Sequence, residues 1–82
     1  MHVTIYSTTT CTFCGALRAW LDDRNIPYDY KLTDTDPDVM KEYVEVSDGV
    51  IGVPFTVIED ETGKVSKILG FDKPKLQAAL GL

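Results

Sequence analysis

The stretch His2-Val3-Thr4-Ile5-Tyr6-Ser7-Thr8-Thr9-Thr10-Cys11-Thr12-Phe13-Cys14 decides how the chain is read. Its start, His2 to Tyr6, is rich in β-branched and aromatic residues, the composition of a strand. The polar run Ser7-Thr8-Thr9-Thr10 ends it. Phe13, Leu17, Trp20 and Leu21 then recur at helical spacing, with Ala16 beside them, which predicts a helix from about Thr12 to Arg24. Asn25 is a natural stop, and Pro27 bars continuation. Cys11-Thr12-Phe13-Cys14 therefore falls where a strand gives way to a helix.

Working outward, Tyr28-Asp29-Tyr30-Lys31-Leu32 alternates as a short strand does. Asp36-Pro37 reads as N-cap and first helical residue, because the N–H that proline lacks is not used there. Val39, Met40, Tyr43 and Val44 form the expected apolar face of that second helix, which Ser47-Asp48-Gly49 ends. Gly52-Val53-Pro54 leads into the apolar run Phe55-Thr56-Val57-Ile58. A polar turn, Glu59-Asp60-Glu61-Thr62-Gly63-Lys64, separates it from Val65-Ser66-Lys67-Ile68-Leu69, which predicts a hairpin. Gly70 breaks the strand. Asp72 caps a last helix, with Phe71 and Leu76 at the two positions of a hydrophobic staple. Leu76, Ala79 and Leu80 face inward, and Gly81 suits the left-handed terminus.

The order is β-α-β-α-β-β-α. A βαβ unit has parallel strands joined by a right-handed crossover, and the hairpin adds antiparallel strands to the same sheet. The expected fold class is α/β, a four-stranded mixed sheet with helices on both faces. At 82 residues the chain makes one domain, residues 1–82, with no linker, repeat or low-complexity stretch. Such a chain buries only about 60–65% of its unfolded surface, so the core is thin.

Composition excludes several functions. Lys plus Arg is 8 against 13 for Asp plus Glu, a net charge of −5, which speaks against nucleic acid as a partner. No apolar run approaches the roughly 18 residues of a membrane span. No basic segment followed by an apolar one marks a secretory signal at the start, so a cytoplasmic protein is expected.

The two cysteines narrow the chemistry further. Closing so short a loop removes only about 2 kcal/mol of unfolded-state entropy, against about 5 for a 100-residue loop. Stapling is a poor reason for the pair, and thiol chemistry a better one. A structural zinc ion takes four ligands. This chain has one Cys pair and one histidine, His2, so no metal site is expected. A helix N-terminus carries unpaired N–H groups and partial positive charge, which favours a thiolate over a thiol. Cys11, outside or at the helix start, is the expected exposed nucleophile, with its thiol pulled below the free value near 8.5. Cys14, further in, is the expected buried resolving thiol.

Other residues carry plainer readings. Trp20 is core. Tyr6 packs near the site without chemistry. His2 is solvated, Glu59-Asp60-Glu61 is a solvated turn, and Lys64, Lys67, Lys73 and Lys75 are solvated by default. Phe13, between the cysteines, is a candidate to stay exposed and touch a partner. From the residues alone the Val53–Pro54 bond is expected to be trans, since only about 5–6% of X–Pro bonds are cis.

Taken together, Val3-Thr4-Ile5-Tyr6-Ser7 leading into Cys11-Thr12-Phe13-Cys14, then Val53-Pro54, then Gly70-Phe71-Asp72, resemble the small bacterial glutaredoxin-like proteins of the thioredoxin superfamily. The resemblance extends over essentially the whole chain. It implies the thioredoxin fold, a cis Pro54 facing the active-site disulfide, and a Val53 backbone that pairs with an incoming thiol peptide. It implies that Gly70, Phe71 and Asp72 receive the γ-glutamyl end of glutathione, and it places thiol contacts at Thr8, Thr10, Thr12 and Phe13. Thr12 stands where the family usually has proline, Thr8 where many members carry lysine, and Leu69-Gly70 where a double glycine is common. The Ser7–Cys11 run is similar to mycoredoxins. The Gly-Phe-Asp run is nearer to redoxins that take electrons from thioredoxin reductase and serve ribonucleotide reductase.

The resemblance thus implies a thiol–disulfide oxidoreductase acting on protein disulfides or mixed disulfides as a monomer, with no tightly bound cofactor. Glutathione, mycothiol or thioredoxin reductase supplies the electrons. The alternative is a [2Fe–2S] module, with Cys11 from two chains and two small thiols holding the cluster across a dimer.

Overall fold

The strand β1, His2–Ser7, is the centre of the molecule. Its residues from Val3 to Ser7 are all buried, so it is covered on both faces. The computed structural model describes residues 1–49 and 52–81. After β1 come α1 (Cys14–Asp23), β2 (Asp29–Leu32), α2 (Pro37–Val46), β3 (Phe55–Glu59), β4 (Val65–Leu69) and α3 (Lys73–Leu80). Every expected element is present in the expected order.

The sheet runs β2-β1-β3-β4. β1 and β2 are parallel, with Ile5 opposite Tyr30 and Ser7 opposite Leu32. β3 lies antiparallel to β1, with Tyr6 opposite Phe55, and β4 antiparallel to β3, with Phe55 opposite Leu69. These registers bring Ser7, Leu32, Pro54 and Gly70 to the same end of the sheet.

Alternation along the strands makes two cores. On one face Val3, Ile5, Ile58 and Ile68 pack with Leu17, Trp20 and Leu21 of α1 and Leu76 and Leu80 of α3. On the other, Tyr6 and Phe55 pack with Tyr43 of α2, and Val39, Val46 and Val57 close around them. Helices therefore cover both faces, as expected. Trp20 is core: Phe71 meets its ring edge-on at 6.4 Å between centroids, and the Arg24 guanidinium lies 4.1 Å from its centroid.

The helix ends follow the caps read from the sequence. The Asp36 side chain accepts from the Asp38 amide, with Pro37 behind it. Asp72 accepts from the Lys75 amide. Asn25 adopts φ 54° just past α1, and Gly81 φ 74° at the end of α3.

Two expectations need correction. α1 begins at Cys14, not Thr12, with Phe13 as N-cap and no side chain closing that end. Its first interior bond runs from the Leu17 amide to the Phe13 carbonyl, while Thr12 and Phe13 remain in a turn. Phe13 is thus not on the buried stripe: it is 60% exposed, and Ala16 is exposed too. The stripe is Cys14, Leu17, Trp20 and Leu21.

On α2, Met40 and Val44 were expected to face inward, but they are 44% and 51% exposed. The stripe that meets the sheet is Val39, Tyr43 and Val46. Each helical residue turns the side chain by about 100°. Met40 and Val44 sit one residue past Val39 and Tyr43, which is enough to carry them off the contact.

Candidate active site

The two sulfurs are joined: Cys11 and Cys14 form a disulfide, with their Cα atoms 5.5 Å apart. Cys11 is half-buried in the loop between β1 and α1, and Cys14, the first residue of α1, is 1% exposed. The expected asymmetry between an accessible and a buried sulfur is present. Because α1 starts at Cys14, the free amides of its first turn lie directly beyond the pair and no side chain competes for them.

The loop that carries Cys11 is tied down at several points. The Cys11 amide donates to the Thr8 carbonyl at 3.3 Å. The Thr33 amide and hydroxyl both donate to the Ser7 carbonyl, at 2.8 and 3.1 Å. The Thr9 amide and hydroxyl both donate to Asp34 Oδ2, at 3.0 and 2.6 Å. Residues 33–34, just past β2, therefore clasp the start of the loop.

Those Thr9 bonds, side chain first and then backbone, hold the Asp34 carboxyl below its usual value of 3.8. A carboxyl depressed in the folded state stabilises the fold above its unfolded value and loses that contribution as pH falls through the folded one. Acidification below about pH 4 is therefore expected to release the Thr9 clasp. The Thr9 amide resonance reports it. Its low-pH step disappears in Asp34→Ala, and a step that persists in that variant contradicts the assignment.

A second anchor holds the loop before β3. The Tyr43 hydroxyl donates to the Gly52 carbonyl at 2.7 Å and accepts from the Gly52 amide at 2.8 Å. The Val53–Pro54 bond that follows is cis, as the resemblance implied and against the expectation from the residues alone. Pro54 is buried and Val53 half-buried. The Pro54 carbonyl accepts from the Gly70 amide at 2.7 Å, which links the two loops.

Gly70 takes φ 79°, a conformation that only glycine adopts without strain. Gly70, Phe71 and Asp72 are half-buried, but Phe71 packs into the core against Trp20. Pro74 has no N–H, and the Lys75 amide is already taken by Asp72 Oδ1 at 3.2 Å. Thr8 is half-buried, and Thr9, Thr10, Thr12 and Phe13 are exposed around the sulfurs. The loops that carry the remaining sequence candidates therefore leave the sheet at one end.

Sequence reasoning missed Ser7, Tyr30, Thr33, Asp34 and Tyr43 as parts of this site. The Ser7 hydroxyl donates to Cys14 Sγ at 2.6 Å, and the Tyr30 hydroxyl donates to Ser7 Oγ at 2.9 Å. Ser7 and Tyr30 lie on different strands, and their meeting depends on strand register. Across the sheet, burial first and then a hydrogen bond with Glu42 push Tyr6 up to about 12. Tyr6 thus remains neutral near pH 7, and it packs without thiol chemistry. His2, at the far end of β1, pairs with Asp29 at 3.1 Å and is well exposed.

The glutaredoxin family model matches residues 3–62. The chain belongs to the glutaredoxin family. It is similar to the solved glutaredoxin from Methanosarcina mazei Go1, at 26% identity and a TM-score of 0.78, covering 99% of this chain and 79% of that one. The glutaredoxin-like NrdH-redoxin from Escherichia coli shares the fold, at 19% identity and a TM-score of 0.75, over 95% and 93% of the two chains. The global transcriptional regulator Spx 1 of Bacillus cereus is 36% identical over 44 residues, or 54% of this chain. This glutaredoxin-family chain spans about a third of that relative's length, 34%.

Proposed function

We propose that the chain is a thiol–disulfide oxidoreductase in which Cys11 attacks and Cys14 resolves. The disulfide between a half-buried Cys11 and a buried Cys14, placed ahead of an uncapped helix end, carries this reading. The reduced Cys11 thiolate attacks one sulfur of a target disulfide. The target's S–S bond breaks, its second sulfur leaves with the electron pair, and Cys11 is left in a mixed disulfide. Cys14 then attacks Cys11 Sγ and releases the other target sulfur as a thiolate, which takes a proton from water. The target gains two electrons and this chain ends oxidised. The Val53 backbone beside cis Pro54 offers a strand-like edge to the target peptide, and Thr8, Thr10, Thr12 and Phe13 line the approach.

The electron donor in this reading is a protein reductase of the thioredoxin reductase type rather than glutathione. Thr8 offers no cation for a thiol carboxylate. At α3, the Asp72 carboxylate already occupies the Lys75 amide, and Pro74 offers none. The enzyme acts in the cytoplasm, as a monomer, on disulfide-bearing proteins.

The test measures NADPH consumption with a disulfide substrate in two coupled systems at equal protein. One holds thioredoxin reductase; the other holds glutathione and glutathione reductase. Turnover is expected with the first. Turnover only with glutathione overturns the donor assignment. Failure of both, with brown colour after anaerobic expression, replaces the oxidoreductase with the cluster-binding alternative.

A further inference from the structure

Cys14 presents a physical difficulty that its neighbours address. At 1% exposure its sulfur is removed from water, and burial disfavours a thiolate. Yet only the thiolate resolves a mixed disulfide. Some group must compensate, and the Ser7 hydroxyl is placed to do so. It donates to Cys14 Sγ at 2.6 Å in a buried contact. Ser7 is itself fully buried at the end of β1, with its side chain on the face that α1 covers.

A serine hydroxyl has one proton to give. Here it has two acceptors: Cys14 Sγ, and the Thr8 carbonyl at 3.2 Å. Tyr30 bears on this choice. Its hydroxyl donates to Ser7 Oγ at 2.9 Å, which occupies a lone pair, limits rotation and polarises the Ser7 O–H bond. Tyr30 is held in turn by Arg18, whose guanidinium carbon lies 4.3 Å from the ring centroid.

We propose that Ser7 and Tyr30 form a two-hydroxyl relay that makes the buried Cys14 thiol reactive, Ser7 by donating to its sulfur and Tyr30 as a positioning residue that fixes Ser7. The inference rests on the dithiol reading above. The step it governs is resolution. Cys14 ionises, its proton ending on the departing target thiolate, and its sulfur bonds to Cys11 Sγ. The Cys11–target bond breaks, and the target leaves with the electron pair.

The charged and titratable groups around the relay are few. Arg18 of α1 stacks on Tyr30, and Tyr28, just before β2, favours its charged form. Lys31 turns to the opposite face and pairs with Glu42 at 2.9 Å. Asp34 is bound to Thr9.

A chromogenic aromatic disulfide separates the two steps by stopped flow. Attack by Cys11 releases one coloured thiolate, and resolution by Cys14 releases the second. At neutral pH, Ser7→Ala is expected to slow the second phase about tenfold or more, the effect of losing one hydrogen bond to a charged group. Tyr30→Phe slows it about threefold, because it removes only the polarising bond. The first phase stays close to the parent in both variants. The deficit shrinks as pH rises, since the thiolate then forms without help. Ser7→Thr, which keeps the hydroxyl, restores the rate, and Tyr28→Phe leaves it unchanged.

Parental second-phase rates across the pH range in Ser7→Ala and Tyr30→Phe, both folded by circular dichroism, overturn the relay. Equal slowing of both phases, or slowing independent of pH, overturns it as well by showing a merely structural role. A parent protein that releases one thiolate and never the second overturns the dithiol reading itself, and the relay falls with it.

Discussion

Cys11→Ser removes disulfide turnover, with a loss of about a hundredfold or more, the scale expected when an attacking nucleophile is deleted. The oxygen of serine is not ionised near neutral pH and does not exchange with disulfides. Cys14 cannot take over, because its sulfur is 1% exposed and a protein disulfide cannot reach it. Cys14→Ser behaves differently. Cys11 still attacks, the mixed disulfide has no internal thiol to resolve it, and the protein accumulates covalently joined to its target. Non-reducing electrophoresis and mass spectrometry read that adduct. Full turnover by Cys11→Ser, or an adduct on Cys14 in that variant, contradicts the order of the two thiols.

Leu17→Ala is expected to cost about 2–5 kcal/mol, the range for truncating a buried leucine. Leu17 is 0% exposed and lies one turn past Cys14, in the cluster that joins α1 and α3 to the sheet. Domains of this size are stabilised by only about 5–10 kcal/mol in total. At about 4–8 °C per kcal/mol, the melting temperature falls by roughly 8–40 °C. Met40→Ser is the companion, since Met40 is 44% exposed on α2 and its loss is worth about 0.5 kcal/mol or less. Thermal and urea unfolding followed by circular dichroism compare the two. A Leu17 variant as stable as the Met40 variant shows that the core has been drawn in the wrong place. Because α1 carries Cys14, Leu17→Ala also loosens the sulfur contact of Ser7, so its turnover is to be measured well below its melting point.

Some misplaced residues show where local reading stops. Phe13 stands four residues before Leu17 and so matches a helical stripe. It is nonetheless the N-cap: its carbonyl accepts the first helical bond, while its side chain faces water. Met40 and Val44 are as apolar as Val39 and Val46. A short amphipathic helix with apolar residues at adjacent positions has two stripes that differ by about 100°. Only the sheet face it meets selects between them, and Tyr6 and Phe55 select Val39, Tyr43 and Val46.

Element order, the parallel and antiparallel pairings, the caps at Asp36 and Asp72, and the Cys11–Cys14 pair at a strand-to-helix junction are legible in the residues alone. These are written in residues a turn or a strand apart, where period, capping and turn chemistry act locally. Which hydroxyl meets which sulfur depends instead on packing and strand register. The Tyr30–Ser7–Cys14 chain, the Thr9–Asp34 clasp and the Tyr43 anchor on Gly52 join separate elements. They exist because β1–β2 register sets Ile5 beside Tyr30 and Ser7 beside Leu32, while α1 and α2 pack on opposite faces. A hydrogen bond is felt over about 3 Å, so partners many residues apart become partners only after the chain has folded.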